Sequence, residues 1–168
     1  MKVVGIDLGT HKVSLALVRD GELLETMTWD YAAGHRADVL CDLANQAEMQ
    51  IHRWQPDHIF MEDVVVGNNR KYSIQIAQVM GAVLAAVGHG QALPIAVNNR
   101  EWKKITGQKM PRDSAGQKEV VRAWLRERSE HAYSVVCDRD QDRIDAACIA
   151  LYGYDICHRA SGLNLTFD

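Results

Sequence analysis

Two carboxylates sit where a folded chain rarely tolerates them. Asp7 interrupts the apolar run Val3-Val4-Gly5-Ile6-Asp7-Leu8, and Glu62 closes the run Ile59-Phe60-Met61. Both runs have the length and composition of buried strands. An ionised carboxylate in such a place is expensive unless it is paired or bound to a metal. The segment order makes these two strands natural neighbours, so Asp7 and Glu62 are expected side by side, where a divalent cation is the simplest relief of their repulsion. Asp142 and Asp145 stand three residues apart, on one face of an expected helix. Acids at a helix N-terminus also act as caps and oppose the macrodipole, which is the simpler account of Asp142 alone. Asp145 resists that account, because Ile144, Ala146, Ala147 and Cys148 surround it with core-like residues. Asp138 and Asp140 read as exposed loop or capping acids. Four carboxylates on two strands and a helix suit a two-metal site for phosphodiester hydrolysis, with ions ~3.5–4 Å apart activating water and stabilising the leaving oxygen.

The elements that must position these acids follow from the apolar pattern. Residues 3–8 and 13–18 read as strands, and Asp20-Gly21 is a two-residue hairpin signal leading to a third strand at 23–27. From residue 34 to Trp54, Val39, Leu40, Leu43, Ala47 and Ile51 recur at helical spacing, and Pro56 follows. A buried strand at 58–62, a loop at 67–70, a helix at 73–87 and a strand at 93–97 come next. The stretch 98–114 is polar and basic, and helices are expected at 117–127 and 142–154. This order implies an α/β fold with a five-stranded mixed sheet, three strands antiparallel and then parallel through the crossovers, flanked by helices.

The chain has 168 residues, 47% hydrophobic and 24% charged, with three prolines, and is expected to form one domain over 1–168 rather than a disordered or low-complexity scaffold. Its net charge of −3 does not by itself advertise nucleic-acid binding. No signal peptide is apparent, and the longest mostly apolar stretch, 79–87, is too short for a bilayer. Cys41, Cys137, Cys148 and Cys157 show no CxxC spacing, which argues against structural zinc and for buried free thiols in a reducing cytoplasm. No GxSxG occurs, and the histidines show no partner spacing for a nucleophilic triad.

The motifs carry a resemblance. GIDLGT at 5–10, MEDVVVGNN at 61–69, QIAQVMGAVLAA at 75–86, KKITGQ before AGQKEVVRAWL, and DRIDAACIA at 142–150, taken in order, resemble the RuvC family of Holliday-junction resolvases within the ribonuclease H-like superfamily. The likeness runs over nearly the whole chain, and a divergent, phage-type member fits it. It implies a Mg²⁺-dependent endonuclease, with two ions per site and Mn²⁺ able to substitute, held by Asp7, Glu62, Asp142 and Asp145. It further implies a homodimer through helix 73–87, with Gly81 and Ala85 allowing close approach, that nicks opposed strands of a four-way DNA junction and leaves a 5′-phosphate and a 3′-hydroxyl. The expected setting is the cytoplasm of a bacterial or phage-infected cell.

Between residues 99 and 128, nine basic residues face four acidic ones. Such a patch supplies salt-dependent phosphate contacts rather than base reading. Lys118 matches a family lysine beside the active site and is expected at the phosphate or transition state. Lys103 and Lys104 are a second match, and Lys109, Arg112, Asn68, Asn69 and Arg70 complete the expected nucleic-acid contacts. Arg122, Arg126 and Arg128 read as a solvated helix face with salt pairs. One position departs from the family pattern: Val65 stands where bacterial members carry an aromatic that stacks on an unpaired base, an interaction worth ~1–3 kcal/mol. Tyr72, Trp102 and His11 are candidate substitutes. The departure leaves room for a broader debranching nuclease. A YqgF-like RNA-processing nuclease and a catalytically silent DNA-binding module are the other readings, whereas an actin-like kinase would need a second lobe.

Overall fold

The computed structural model describes residues 1–31, 37–64, 69–88, 92–136 and 140–162. β1 (Lys2–Leu8), β2 (Lys12–Arg19) and β3 (Glu22–Asp30) form the antiparallel meander, β4 (His58–Glu62) lies parallel to β1 on its other side, and β5 (Pro94–Val97) lies parallel to β4. The sheet order is β3-β2-β1-β4-β5, the mixed five-stranded sheet expected from the segment order. At the β2–β3 hairpin Asp20 and Gly21 both take positive φ, 52° and 85°, as a type I′ turn requires.

Alternation along the strands assigns residues to faces. Val4, Ile6 and Leu8 of β1 join Ile59 and Met61 of β4 in a core covered by α1 (Ala37–Trp54) and α2 (Arg70–Val87). Val3 and Phe60 look the other way, into a second core built with α4 (Ser114–Arg128), α5 (Glu130–Val136) and α6 (Gln141–Gly162). Asp7 and Glu62 share the parity of Val3 and Phe60, so both point toward α6. The α6 backbone comes very close to β1: a Cβ on Gly5 would overlap the Ala146 carbonyl and the Ala150 amide, and one on Gly153 would overlap the Phe60 ring. Glycine at position 5 lets helix and strand meet backbone to backbone, and glycine at 153 makes room on the helix for the Phe60 ring.

Several boundaries differ from expectation. α2 starts at Arg70 rather than 73, because the Asn69 side chain accepts from the Tyr72 amide at 3.2 Å and caps the helix. Arg70 is therefore helical, while Gly67 and Asn68 lie outside the described residues. The polar stretch after β5 contains α3 (Asn99–Trp102) and a 3₁₀ turn (Lys103–Thr106), nucleated by Asn98 accepting from the Arg100 amide at 2.9 Å. Asp113 caps α4 in the same manner, so that helix begins at Ser114. The short α5 escapes periodicity because, among its described side chains, only Ala132 and Val136 are buried. Of the cysteines, Cys148 and Cys157 are buried and Cys41 is exposed, which corrects the expectation for Cys41, while Cys137 lies outside the described residues.

Replacing Gly5 by Val forces α6 away from β1 and is expected to cost at least ~1–3 kcal/mol, with the melting temperature falling by ~2–4 °C for each kcal/mol. Thermal unfolding checks this, and an unchanged melting temperature would mean that α6 does not rest on Gly5.

Candidate active site

Register sets the first pair. Ile6 and Met61 are partners across the parallel β1–β4 ladder, so the next residue of each strand, Asp7 and Glu62, emerges at one level on the α6 face. Their carboxyls lie within hydrogen-bonding reach of each other, and Asp7 is only 8% exposed. Ala146 rests on Gly5, which brings the preceding residue, Asp145, into the field of Asp7. Burial raises the Asp7 pKa well above the ordinary carboxylate range, and repulsion from Asp145 and Glu62 adds to it, while Lys12 opposes. Asp145 is pushed up to about 6, again chiefly by burial, against the pull of a Gln141 hydrogen bond and the charges of Lys103 and Lys118.

Side chains absent from the sequence expectations fix these acids. Asn99 Nδ2 donates to Glu62 Oε1. Gln141 Nε2 donates to Asp145 Oδ1 at 2.8 Å, and Arg122 Nη2 donates to Gln141 Oε1 at 3.2 Å, tying α4 to the start of α6. Arg122 is thus more than part of a solvated face, although it also pairs with Glu119 at 3.2 Å. Lys12 pairs with Asp142 Oδ2 at 2.5 Å and with Asp140 Oδ1 at 3.5 Å. The i,i+4 spacing of Gln141 and Asp145 was the available signal for one of these. For Lys12 and Asn99, no local pattern could have given the contact.

The four acids therefore do not behave as one set. Asp7, Glu62 and Asp145 face one another, whereas Asp142, 31% exposed, turns to Lys12. Asp140 is a cap, as expected, with its carbonyl accepting from the Ile144 amide, and it also pairs with Arg143 at 3.1 Å. Asp138 lies outside the described residues.

The basic candidates separate too. Lys103 and Lys118 lie close enough for their charges to reach Asp145, and Lys103 donates to Gln117 Oε1 at 3.0 Å. Lys104 does not join them: it is exposed and closed onto Glu101 at 2.7 Å. Lys109, Arg112 and Arg70 are exposed, and Asn69 serves as the α2 cap. Asn68 and Val65 lie outside the described residues. Of the aromatic candidates, Trp102 is fully buried and cannot reach DNA, whereas Tyr72 is 49% exposed. Tyr72 lines a cleft of about 480 Å³ with Glu62, Asn98, Asn99 and Arg100. His11 is exposed on the turn after β1.

Among the described residues no three acidic, histidine or cysteine side chains already stand as a finished metal cage. The donor chemistry nevertheless fits a hard divalent cation: all the oxygens are carboxylate, three of the acids are crowded, and Asp7 and Asp145 are desolvated with their repulsion only partly offset. Asp142, with its Oδ2 on Lys12, stands apart from those three.

Residues 3–126, about three quarters of the chain, match the profile of the family described as crossover junction endodeoxyribonuclease RuvC. Asp142 and Asp145 lie beyond the matched span, so their place in the site rests on the geometry above. Among solved structures, RuvC of Thermus thermophilus in complex with a Holliday junction substrate is 19% identical, with a TM-score of 0.76 over 96% of this chain and 97% of that one. The Thermus thermophilus RuvC structure itself gives the same score and identity over 95% and 97%. The yeast mitochondrial Holliday junction resolvase Ydc2 is 14% identical, with a TM-score of 0.65 over 96% and 82%. At these identities the likeness establishes the fold. No curated sequence matches significantly. Among the described residues no helix is long and apolar enough to cross a membrane.

The raised Asp145 pKa fixes the sign of a pH dependence. Folding holds the Asp145 proton more tightly, from ~3.9 unfolded to about 6 folded. The resulting stabilisation is fully present below the unfolded value and is lost as pH rises through about 6. In EDTA, Asp145→Asn is therefore expected to melt above wild type at neutral pH, by ~2–4 °C for each kcal/mol relieved, and the gap should close toward pH ~4. A gap that stays constant with pH would contradict the crowding of Asp145.

Proposed function

The chain belongs to the RuvC family of crossover junction endodeoxyribonucleases, and on that premise we propose that it is a structure-specific DNA endonuclease that resolves four-way junctions by metal-dependent paired nicking. One observation carries the reading: buried Asp7 and half-buried Glu62 and Asp145 meet at the ends of two parallel strands and the start of a helix, beside an open cleft. In this reading Asp7, Glu62, Asp145 and Asp142 hold two Mg²⁺ ions, for which Mn²⁺ substitutes. When bound, the ions supply activation of the attacking water and charge stabilisation at the departing 3′-oxygen.

The chain's own residues do the rest. Asn99 and Gln141 hold the Glu62 and Asp145 carboxylates in fixed orientation. Lys103 and Lys118 neutralise the phosphate that approaches Asp145. In-line displacement at that phosphate leaves a 5′-phosphate and a 3′-hydroxyl. Exposed Arg70, Lys109 and Arg112 hold the flanking duplex arms by their phosphates. Tyr72 takes the place of the missing aromatic and stacks on an unpaired base at the branch.

Paired cutting needs two sites, and α2 offers a face for a second copy. Ile74, Ala77, Gln78, Gly81 and Ala85 lie exposed along one side of the helix, and a Cβ on Gly81 would meet nothing in this chain within 4 Å. Packing within the chain therefore does not call for glycine there, whereas close approach of a second α2 would. Tolerance of flaps and forks is the second reading, favoured by Val65 standing where the family pattern has an aromatic.

Cleavage of a labelled four-way junction beside a linear duplex, a flap, a splayed fork and an RNA–DNA hybrid tests the reading. Symmetric paired nicks on the junction, lost in EDTA and in Asp7→Asn, are expected. Asp7→Asn should still fold and bind the junction, because it removes a buried negative charge from a phosphate site. Equal cutting of flaps and forks would make the protein a general debranching nuclease. Cutting of the hybrid alone, or of nothing, would overturn the assignment.

A further inference from the structure

Lys12 stands at the point where two accounts of the acidic site meet. It is the first residue of β2, and the turn that delivers it is tight: the Gly9 amide donates to the Lys12 carbonyl at 2.9 Å, and a Cβ on Gly9 would crowd that carbonyl. The turn folds the β2 start back against the end of β1, so the Lys12 ammonium lies in the field of Asp7 and 2.5 Å from Asp142 Oδ2. Asp140, its second partner at 3.5 Å, has another cation in Arg143, whose Nε lies 3.1 Å away and also donates to Thr28 Oγ1. Among the described residues, the cation paired with Asp142 is Lys12. The Lys12 side chain is 36% exposed, on a flexible four-carbon stem, so it can move without disturbing either core.

An ammonium and a divalent cation held by one carboxylate repel each other and share its single negative charge, even when each takes its own oxygen. We infer that Lys12 is a tethered competitor for the metal: its ion pair with Asp142 weakens coordination by that carboxylate, so Lys12 raises the concentration at which the Asp142-dependent ion loads. The inference rests on the reading above that Asp142 is a metal ligand. Coupling between the two cations is reciprocal: whatever the divalent ion loses through Lys12, Lys12 loses when the ion binds. Lys103 and Lys118, whose charges act on Asp145, have no such pair with Asp142 and affect metal binding only through the general field.

The test is calorimetric titration of Mn²⁺ into the metal-free full chain, without DNA, so that the readout is affinity and not cleavage. Wild type is expected to show a weaker site that Asp142→Asn abolishes. Lys12→Gln should tighten that site about fivefold, the scale of a partly exposed ion pair. Lys12→Arg, which keeps the charge and the pair, should restore the wild-type value. Lys118→Gln makes the same change of net charge and should shift the weaker site clearly less. Lys12→Met serves as a second neutral variant, and thermal unfolding of each protein confirms folding. A weaker site that is lost in Asp142→Asn but unmoved or loosened in Lys12→Gln would overturn the role of Lys12 and leave the Asp142 reading intact. Equal shifts in Lys12→Gln and Lys118→Gln would reduce Lys12 to a general field effect and overturn the inference as well. Unaltered Mn²⁺ binding in Asp142→Asn would remove Asp142 from the metal set, and the inference with it.

Discussion

Three carboxylates repel one another in a poorly solvated pocket, and what keeps them together is the seat of a helix on a strand. α6 lies so close to β1 that Gly5 cannot carry a side chain, and that contact carries Asp145 to the end of the strand where Asp7 emerges. The parallel β1–β4 register brings Glu62 to the same level. The energy that opposes their repulsion is spread through the α6 core, where Ile144, Ala146, Ala147 and Ile149 are fully buried. A site assembled this way is rigid before any ligand arrives, which is the preorganisation that electrostatic catalysis requires. The cost of crowding appears as raised proton affinity at Asp7 and Asp145.

Positive charge is arranged around this pocket in layers. Lys12 closes onto Asp142 and Asp140 at one side, while Lys103 and Lys118 reach Asp145 from the other. Arg122 acts at one remove, through Gln141, to hold Asp145 in orientation. Lys104 closes onto Glu101, whereas the charge of its neighbour Lys103 reaches Asp145. An overall charge of −3 is therefore compatible with a polyanionic substrate, because the bases concentrate between residues 99 and 128, beside the cleft, while acids dominate elsewhere.

The strands, and with them Asp7 and Glu62, were readable because a charged residue inside an apolar strand violates a strong local rule, and the sheet order followed from connection rules that leave few topologies. Asp145 was readable by the same logic within a helix. Other features depend on contacts between residues far apart in the chain. Lys12 is an ordinary strand-edge lysine until α6 places Asp142 against it, 130 positions later. Asn99 gains its meaning only when α3 follows β5 alongside β4. Lys103 and Lys104 are adjacent and chemically alike, and only the direction of the 3₁₀ turn decides that one nears Asp145 while the other meets Glu101. Boundary errors at α2, α3 and α4 share one cause: each begins at an Asn or Asp cap, a signal weaker in a polar segment than apolar periodicity is in a core helix.

The claim that these carboxylates form a single divalent-metal site is tested most directly by anomalous diffraction from crystals of the protein soaked in Mn²⁺. The arrangement of Asp7, Glu62 and Asp145 predicts a manganese peak bounded by their carboxylates, with Asp142 turned from Lys12 to a second peak. Manganese bound only at exposed acids such as Asp63 or Asp113, with the Asp7 pocket free of it at concentrations that support cleavage, would contradict the claim.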